Sequence, residues 1–206
     1  MSMETLSKTL DLIRSGKMTA NKPLFLHLFG EPLMHDRFEE MAREVKKKVD
    51  HISFSTNGIR VTKERARVLA DIGFSYVTVS PHLPSEAMAG ADILTGAGID
   101  VKVHGGPDHT WGGQVSEAPQ TMWHGRCEFK EKDKVVIRWN GDVAVCCIDD
   151  SDSAVIGSVH DDNVEQLEHR GIPLCKTCHL GREGCDDGIH ATLPAGRIQP
   201  VSWKAQ

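Results

Sequence analysis

Apolar residues in the first half of the chain fall into two alternating rhythms. Leu6, Leu10 and Ile13 share one side of a helix predicted over residues 3–14. Pro23 to Phe29 is a compact apolar run stopped by Gly30, and its length and Gly/Pro bounds predict a buried strand. After Pro32 a helix starts near Asp36, with Phe38, Met41, Val45 and Val49 inward and Glu44–Lys48 as an outer i,i+4 pair. The pattern then recurs. Residues 51–55 read as a strand with Thr56-Asn57-Gly58 as its turn; Thr62 caps a helix running to about Ile72, and Gly73 ends it. Residues 76–79 form a third strand, residues 85–96 a weaker helix and residues 99–103 a fourth strand. Strands alternating with helices predict an α/β fold of βα units around a parallel sheet, open or barrel-like. Ligands of such sheets gather at the C-terminal ends of the strands. Here those ends are Gly30-Glu31, Ser55-Thr56-Asn57, Ser80-Pro81-His82 and His104-Gly105-Gly106.

The second half has a different texture. Residues 105–126 are rich in glycine and proline, hold Trp111 and Trp123, show no period, and are expected to form a linking loop across the mouth of the first domain. From Lys134 alternation returns. Val135 to Trp139 and Asp142 to Cys146 flank Asn140-Gly141, the strongest short hairpin signal. A short helix is expected around residues 163–169, and the last 16 residues, 191–206, are featureless. The expected organisation is therefore residues 1–104, a linker at 105–126, a cysteine-bearing module at 127–190 and a tail.

Composition narrows the function classes. The formal charge is −5 over 206 residues, which gives no support to a phosphate-tracking groove. The local run Lys130, Lys132, Lys134 and Arg138 is diluted by Glu128, Glu131 and Asp133 and reads as a solvated strand surface. No nucleic-acid partner is expected. No window reaches the roughly 18 apolar residues a membrane helix needs, and the polar start has no signal-peptide core. No membrane partner and a cytoplasmic location follow as expectations.

That location bears on the six cysteines, all between Cys127 and Cys185. In a reducing compartment clustered thiols bind metal or do redox work more often than they form disulfides. Cys175 and Cys178 have the two-residue gap that turns two thiolates toward one centre. Cys127 and Cys146, with Cys147 or Cys185 as alternatives, complete a set of four. Spacing alone leaves an iron-sulfur cluster, a structural zinc and a redox pair open. His124 and His179 read as polar neighbours, and Asp149, Asp150, Asp152, Asp161 and Asp162 as solvated loop acids without the spacing of a calcium loop.

The chain resembles radical S-adenosylmethionine proteins that carry a C-terminal SPASM or twitch-like auxiliary-cluster domain. The residues from Leu26 to Leu33 look like that family's second strand and Gly-Gly-Glu motif, with Phe29 in place of the first glycine. Ser53 to Gly58 looks like the end of its third strand, and Tyr76 to Ser80 like its fourth. Cys127, then Gly141-Asp142-Val143-Ala144-Val145-Cys146, then Cys175-Lys176-Thr177-Cys178 resemble the small one-cluster form of the C-terminal domain.

The resemblance implies a partial (β/α) barrel with a small β-hairpin, cysteine-rich module. It implies one auxiliary [4Fe-4S] cluster on Cys127, Cys146, Cys175 and Cys178, with zinc as the alternative. It also implies that Gly30, Glu31, Ser55, Asn57 and Ser80 line an S-adenosylmethionine pocket. Cys147 is then a neighbour and Cys185 a remnant of a longer series. No cysteine precedes Cys127, so the CxxxCxxC loop that holds the family's S-adenosylmethionine-cleaving cluster is missing upstream of Glu31. The expected function is that of a cluster-binding protein or subunit serving electron transfer or substrate anchoring. A protein partner would complete the barrel, or a peptide or small molecule would be the substrate. A non-catalytic adaptor and a structural zinc protein are the other readings.

Overall fold

The computed structural model describes residues 1–104, 127, 129, 132, 134–168, 172–176, 178 and 199–200. The expected linker at 105–126, Cys185, His124 and His179 lie outside them. Four strands, β1 (Leu24–Phe25), β2 (Ile52–Thr56), β3 (Tyr76–Val79) and β4 (Val101–Val103), form a parallel sheet in sequence order. Helices α1 (Met3–Arg14), α2 (Phe38–Lys46), α3 (Lys63–Ile72) and α4 (Pro84–Gly96) alternate with them. Ile52 pairs with Leu24, Tyr76 with Ser53 and Val101 with Val77, so the predicted βα order holds.

Local chemistry accounts for the boundaries. The Ser2 hydroxyl accepts from the Thr5 N–H at the start of α1, and Thr62 does the same for Arg65 at the start of α3. Gly73 closes α3 at φ +79°, a conformation in which a Cβ would be strained. Alternation along the strands turns Leu24, Ile52, Phe54, Val77 and Val79 toward the helices, where they join Met41, Val45, Ala66, Leu69 and Leu94 in one core. Phe54 sits between Phe38 and Phe74, at ring centroid distances of 5.0 and 4.8 Å. The opposite face carries Phe25, Ser53, Ser55, Tyr76, Thr78 and Lys102.

Strand β1 is shorter than the predicted run. After the Leu26 N–H bonds the Ser53 carbonyl at 2.8 Å, the Ser55 N–H is taken by the His27 Nδ1 at 3.0 Å. A side chain thus replaces the next backbone acceptor, and residues 27–31 leave the ladder.

The C-terminal module is a second sheet of β5 (Lys134–Ile137), β6 (Asp142–Ala144), β7 (Val155–Ser158) and β8 (Gln199–Pro200), in the order β7-β6-β5-β8. The hairpin at Asn140-Gly141 is present, with Gly141 at φ +95°. Two residues of the tail expected to be featureless pair in parallel with Lys134 and Val135 as β8. A 3-10 turn at Val164–Gln166 stands where a short helix was expected.

Two apolar clusters fasten this module to the first sheet's domain. Met18, just beyond α1, is buried among Val135, Ile137, Val143, Val159, Val164 and Leu167. Around it, Thr5 Oγ1 meets His160 Nε2 at 3.3 Å and Lys17 meets Glu165 at 3.1 Å. Leu28, one residue past His27, packs against the cluster of Val136, Ala144, Val145 and Ile172, against which Cys146, Cys147 and Cys175 also pack. The segment leaving β1 and three of the cysteines therefore share one apolar cluster.

Candidate functional site

The strand ends are tied together by one carboxylate. Glu31 Oε1 accepts from the Thr56 hydroxyl at 2.8 Å and from the Leu33 N–H at 3.0 Å, while Oε2 accepts from the Asn57 N–H at 2.7 Å. The bond to Leu33 caps the 3-10 turn Pro32–Met34, and the other two hold the end of β2. Thr56 passes the link on, its Oγ1 accepting from the Gly58 N–H at 3.1 Å. The Ser80 N–H bonds the Thr56 carbonyl at 2.8 Å, which brings the end of β3 to the same place. Gly30, Glu31, Ser55, Asn57 and Ser80 thus stand together at the C-terminal ends of three adjacent strands. An ionised carboxylate has about four acceptor positions, and Glu31 uses three of them within the chain.

His27 is the residue of this end that sequence reasoning passed over, because it sits inside an apolar run. Burial pushes its pKa down to about 4, and its Nδ1 already accepts the Ser55 N–H, so the ring is neutral. The beginning of the same sheet face carries an aromatic step, Phe25 edge-on to Tyr76, with the Lys102 ammonium 3.5 Å above the Tyr76 ring centroid.

The thiols form the second centre. Cys127, Cys146, Cys147 and Cys175 are half-buried, Cys178 is buried, and among the described residues none of the five forms a disulfide. They lie within electrostatic reach of one another: Cys146 with Cys127 and Cys175, and Cys147 with Cys146, Cys127 and Cys178. Burial, reinforced by these neighbours, pushes the Cys146 thiol up to about 11 and the Cys147 thiol up to about 12. Several thiolates share so small a space only around a positive centre, which is how a metal group deprotonates its ligands. The Ile148 and Asp149 N–H groups bond the Cys146 sulfur and favour its thiolate.

Soft thiolate sulfurs are the usual ligands of a four-iron cluster, one on each iron. The donor set therefore fits the cluster.

Two charged side chains were misread from the sequence. Arg138 and Asp149, read as a solvated strand residue and a loop acid, are only 3% and 2% exposed. Arg138 Nη2 lies 3.6 Å from Asp149 Oδ2, and the pair is sealed beneath the loop that follows Cys146 and Cys147. Asp150, Asp152, Asp161 and Asp162 are exposed, as expected.

The radical SAM superfamily model matches residues 3–109, and an iron-sulfur cluster-binding domain, SPASM, matches residues 127–179. The chain belongs to the radical SAM superfamily. Its SPASM domain contains Cys127, Cys146, Cys147, Cys175 and Cys178. Membership implies [4Fe-4S] and S-adenosylmethionine as cofactors, and the thiol set is where the chain's own residues would hold the cluster. Over 80 residues the chain is 36% identical to the tungsten-containing aldehyde ferredoxin oxidoreductase cofactor-modifying protein of Pyrococcus furiosus. That stretch is 39% of this chain and 22% of the relative's length.

The fold is similar to that of BtrN in complex with AdoMet and 2-DOIA, with a TM-score of 0.62 at 20% identity, over 80% of this chain and 71% of that one. An open conformation of BtrN gives 0.58 at 19% identity, over 86% and 79%. Among the described residues, no helix is long and apolar enough to cross a membrane.

Proposed function

We propose that this chain is the auxiliary-cluster-bearing part of a radical SAM protein, with Cys127, Cys146, Cys175 and Cys178 as ligands and Cys147 as their neighbour. The observation that carries this reading is Leu28, which joins the strand-end segment at Gly30-Glu31 to the apolar packing around Cys146, Cys147 and Cys175. That shared packing supports a cluster beside the C-terminal end of the sheet, where this superfamily works on its substrates. When bound there, a cluster held by four thiolates would supply one-electron transfer, with substrate anchored beside it by the protein rather than on an iron.

The chain's own part is to hold four thiolates, to keep water from them with Val145, Ile172 and Leu28, and to fix the strand ends with Glu31. Gly30, Asn57, Ser55 and Ser80 then line an S-adenosylmethionine pocket chiefly through backbone groups, since Glu31 already spends most of its acceptor capacity inside the chain. Radical initiation is assigned to a CxxxCxxC segment, which residues 1–206 do not contain; a protein partner is one source of it. A peptide or small molecule is the substrate, and the cytosol, where thiols stay reduced, is the compartment.

The test is anaerobic reconstitution followed by reduction and electron paramagnetic resonance. A reduced cluster signal that S-adenosylmethionine leaves unchanged, with no cleavage of S-adenosylmethionine, is expected of a cluster whose irons are all held by thiolates. Cleavage by residues 1–206 alone would overturn the division of labour.

A further inference from the structure

The loop between β6 and β7 contains Cys146, Cys147 and Asp149, and hydrogen bonds tie it to Arg138 at the end of β5. The Asp149 carboxylate folds the loop back on itself: Oδ2 accepts the Ala154 N–H at 2.9 Å, and Oδ1 accepts the Ser151 and Ser153 hydroxyls at 2.7 and 3.2 Å. Arg138, at the end of β5, clamps the loop from below. Its Nη2 donates to the Asp149 carbonyl at 3.2 Å and to the Ser151 carbonyl, and its Nη1 donates to Asp152 at 2.7 Å. The Asp149 main chain is therefore gripped at its carbonyl, and its N–H, with that of Ile148, is bonded to the Cys146 sulfur.

Stability alone is a poor reason for this arrangement. Two charges taken out of water often contribute no more than apolar side chains of the same size would. Arg138 Nε is moreover buried with no partner among the described residues, which adds a desolvation penalty. What the pair does secure is one geometry for the loop.

We propose that Arg138 and Asp149 are a positioning pair for the auxiliary cluster, holding two N–H groups on the Cys146 sulfur and thereby raising the cluster's reduction potential. This rests on the cluster reading of Cys146 given above. One-electron reduction adds negative charge to the ligand sulfurs, and N–H groups aimed at a sulfur stabilise that charge. Releasing them shifts the potential downward.

Asp149→Asn separates this from simple electrostatics. Removing a negative charge near the cluster would by itself raise the potential, whereas loosening the loop lowers it. The experiment is a potentiometric titration of the anaerobically reconstituted chain, with iron content measured on each sample. Asp149→Asn and Arg138→Lys, which keeps the charge but loses the fork, are expected to retain iron and to shift to lower potential. Asp162→Asn, at an exposed acid of the same module, is expected to match wild type. An unchanged or raised potential in Asp149→Asn with full iron overturns the proposal. Should that variant not load, Arg138→Lys decides, and a wild-type potential there overturns it equally. Iron loss from both variants makes the pair a folding element and also overturns it. A wild-type chain that binds no iron refutes the cluster reading itself, which is read first.

Discussion

Glu31 and Asn57 are joined by a 2.7 Å hydrogen bond that fixes the ends of two neighbouring parallel strands. Glu31→Gln keeps the shape but presents an amide NH₂ to at least one of three donors that now face oxygen. An unsatisfied buried donor costs about 1–3 kcal/mol. Urea denaturation is expected to show a loss of that size, and wild-type stability would mean that the carboxylate does not organise this end of the sheet.

His27 makes a pH prediction with a definite sign. Its folded pKa is lowered from 6.5 to about 4, so the unfolded chain binds more protons in between. Stability attributable to the neutral ring is full above pH 6.5 and is lost as pH falls toward about 4. At most about 3 kcal/mol is involved. His27→Asn, which retains an acceptor for the Ser55 N–H, is expected to flatten this part of the stability–pH curve. An unchanged slope would place the titration elsewhere.

The crossing of α4 over the β2–α3 turn is governed by two glycines. A Cβ on Gly90 would lie 2.3 Å from the Gly58 carbonyl oxygen, whereas one on Gly96 would meet nothing within 4 Å. Gly→Ala in a helix is intrinsically favourable by about 1 kcal/mol. Overpacking costs about 1–3 kcal/mol and outweighs it at Gly90. Gly90→Ala should lower the melting temperature and Gly96→Ala should raise it or leave it. Equal effects would show that the turn yields.

Cys146 and Cys147 are adjacent, yet the N–H bonds from Ile148 and Asp149 reach only Cys146. Cys146→Ser is expected to lose most iron on reconstitution and Cys147→Ser much less. The reverse order would exchange their roles.

The hydrophobic rhythm revealed the parallel sheet because core-facing residues such as Ile52, Phe54, Val77 and Val79 are apolar wherever the strand requires it. Thr62 and Gly73 marked α3 for equally local reasons. The early exit of β1 was hidden, since it depends on a His27 ring reaching a backbone N–H on another strand. The buried Arg138–Asp149 pair was hidden for a related reason. Charged residues beside other charges read as surface until the fold shows that the loop closes over them. Spacing and resemblance pointed to the cysteine module that the iron-sulfur cluster-binding domain match spans, residues 127–179.

Metal analysis of the chain, purified and reconstituted anaerobically with iron, sulfide and zinc all available, decides between a cluster and a single ion. About four irons and four sulfides per chain, with little zinc, are expected. One zinc per chain and no iron would contradict the cluster.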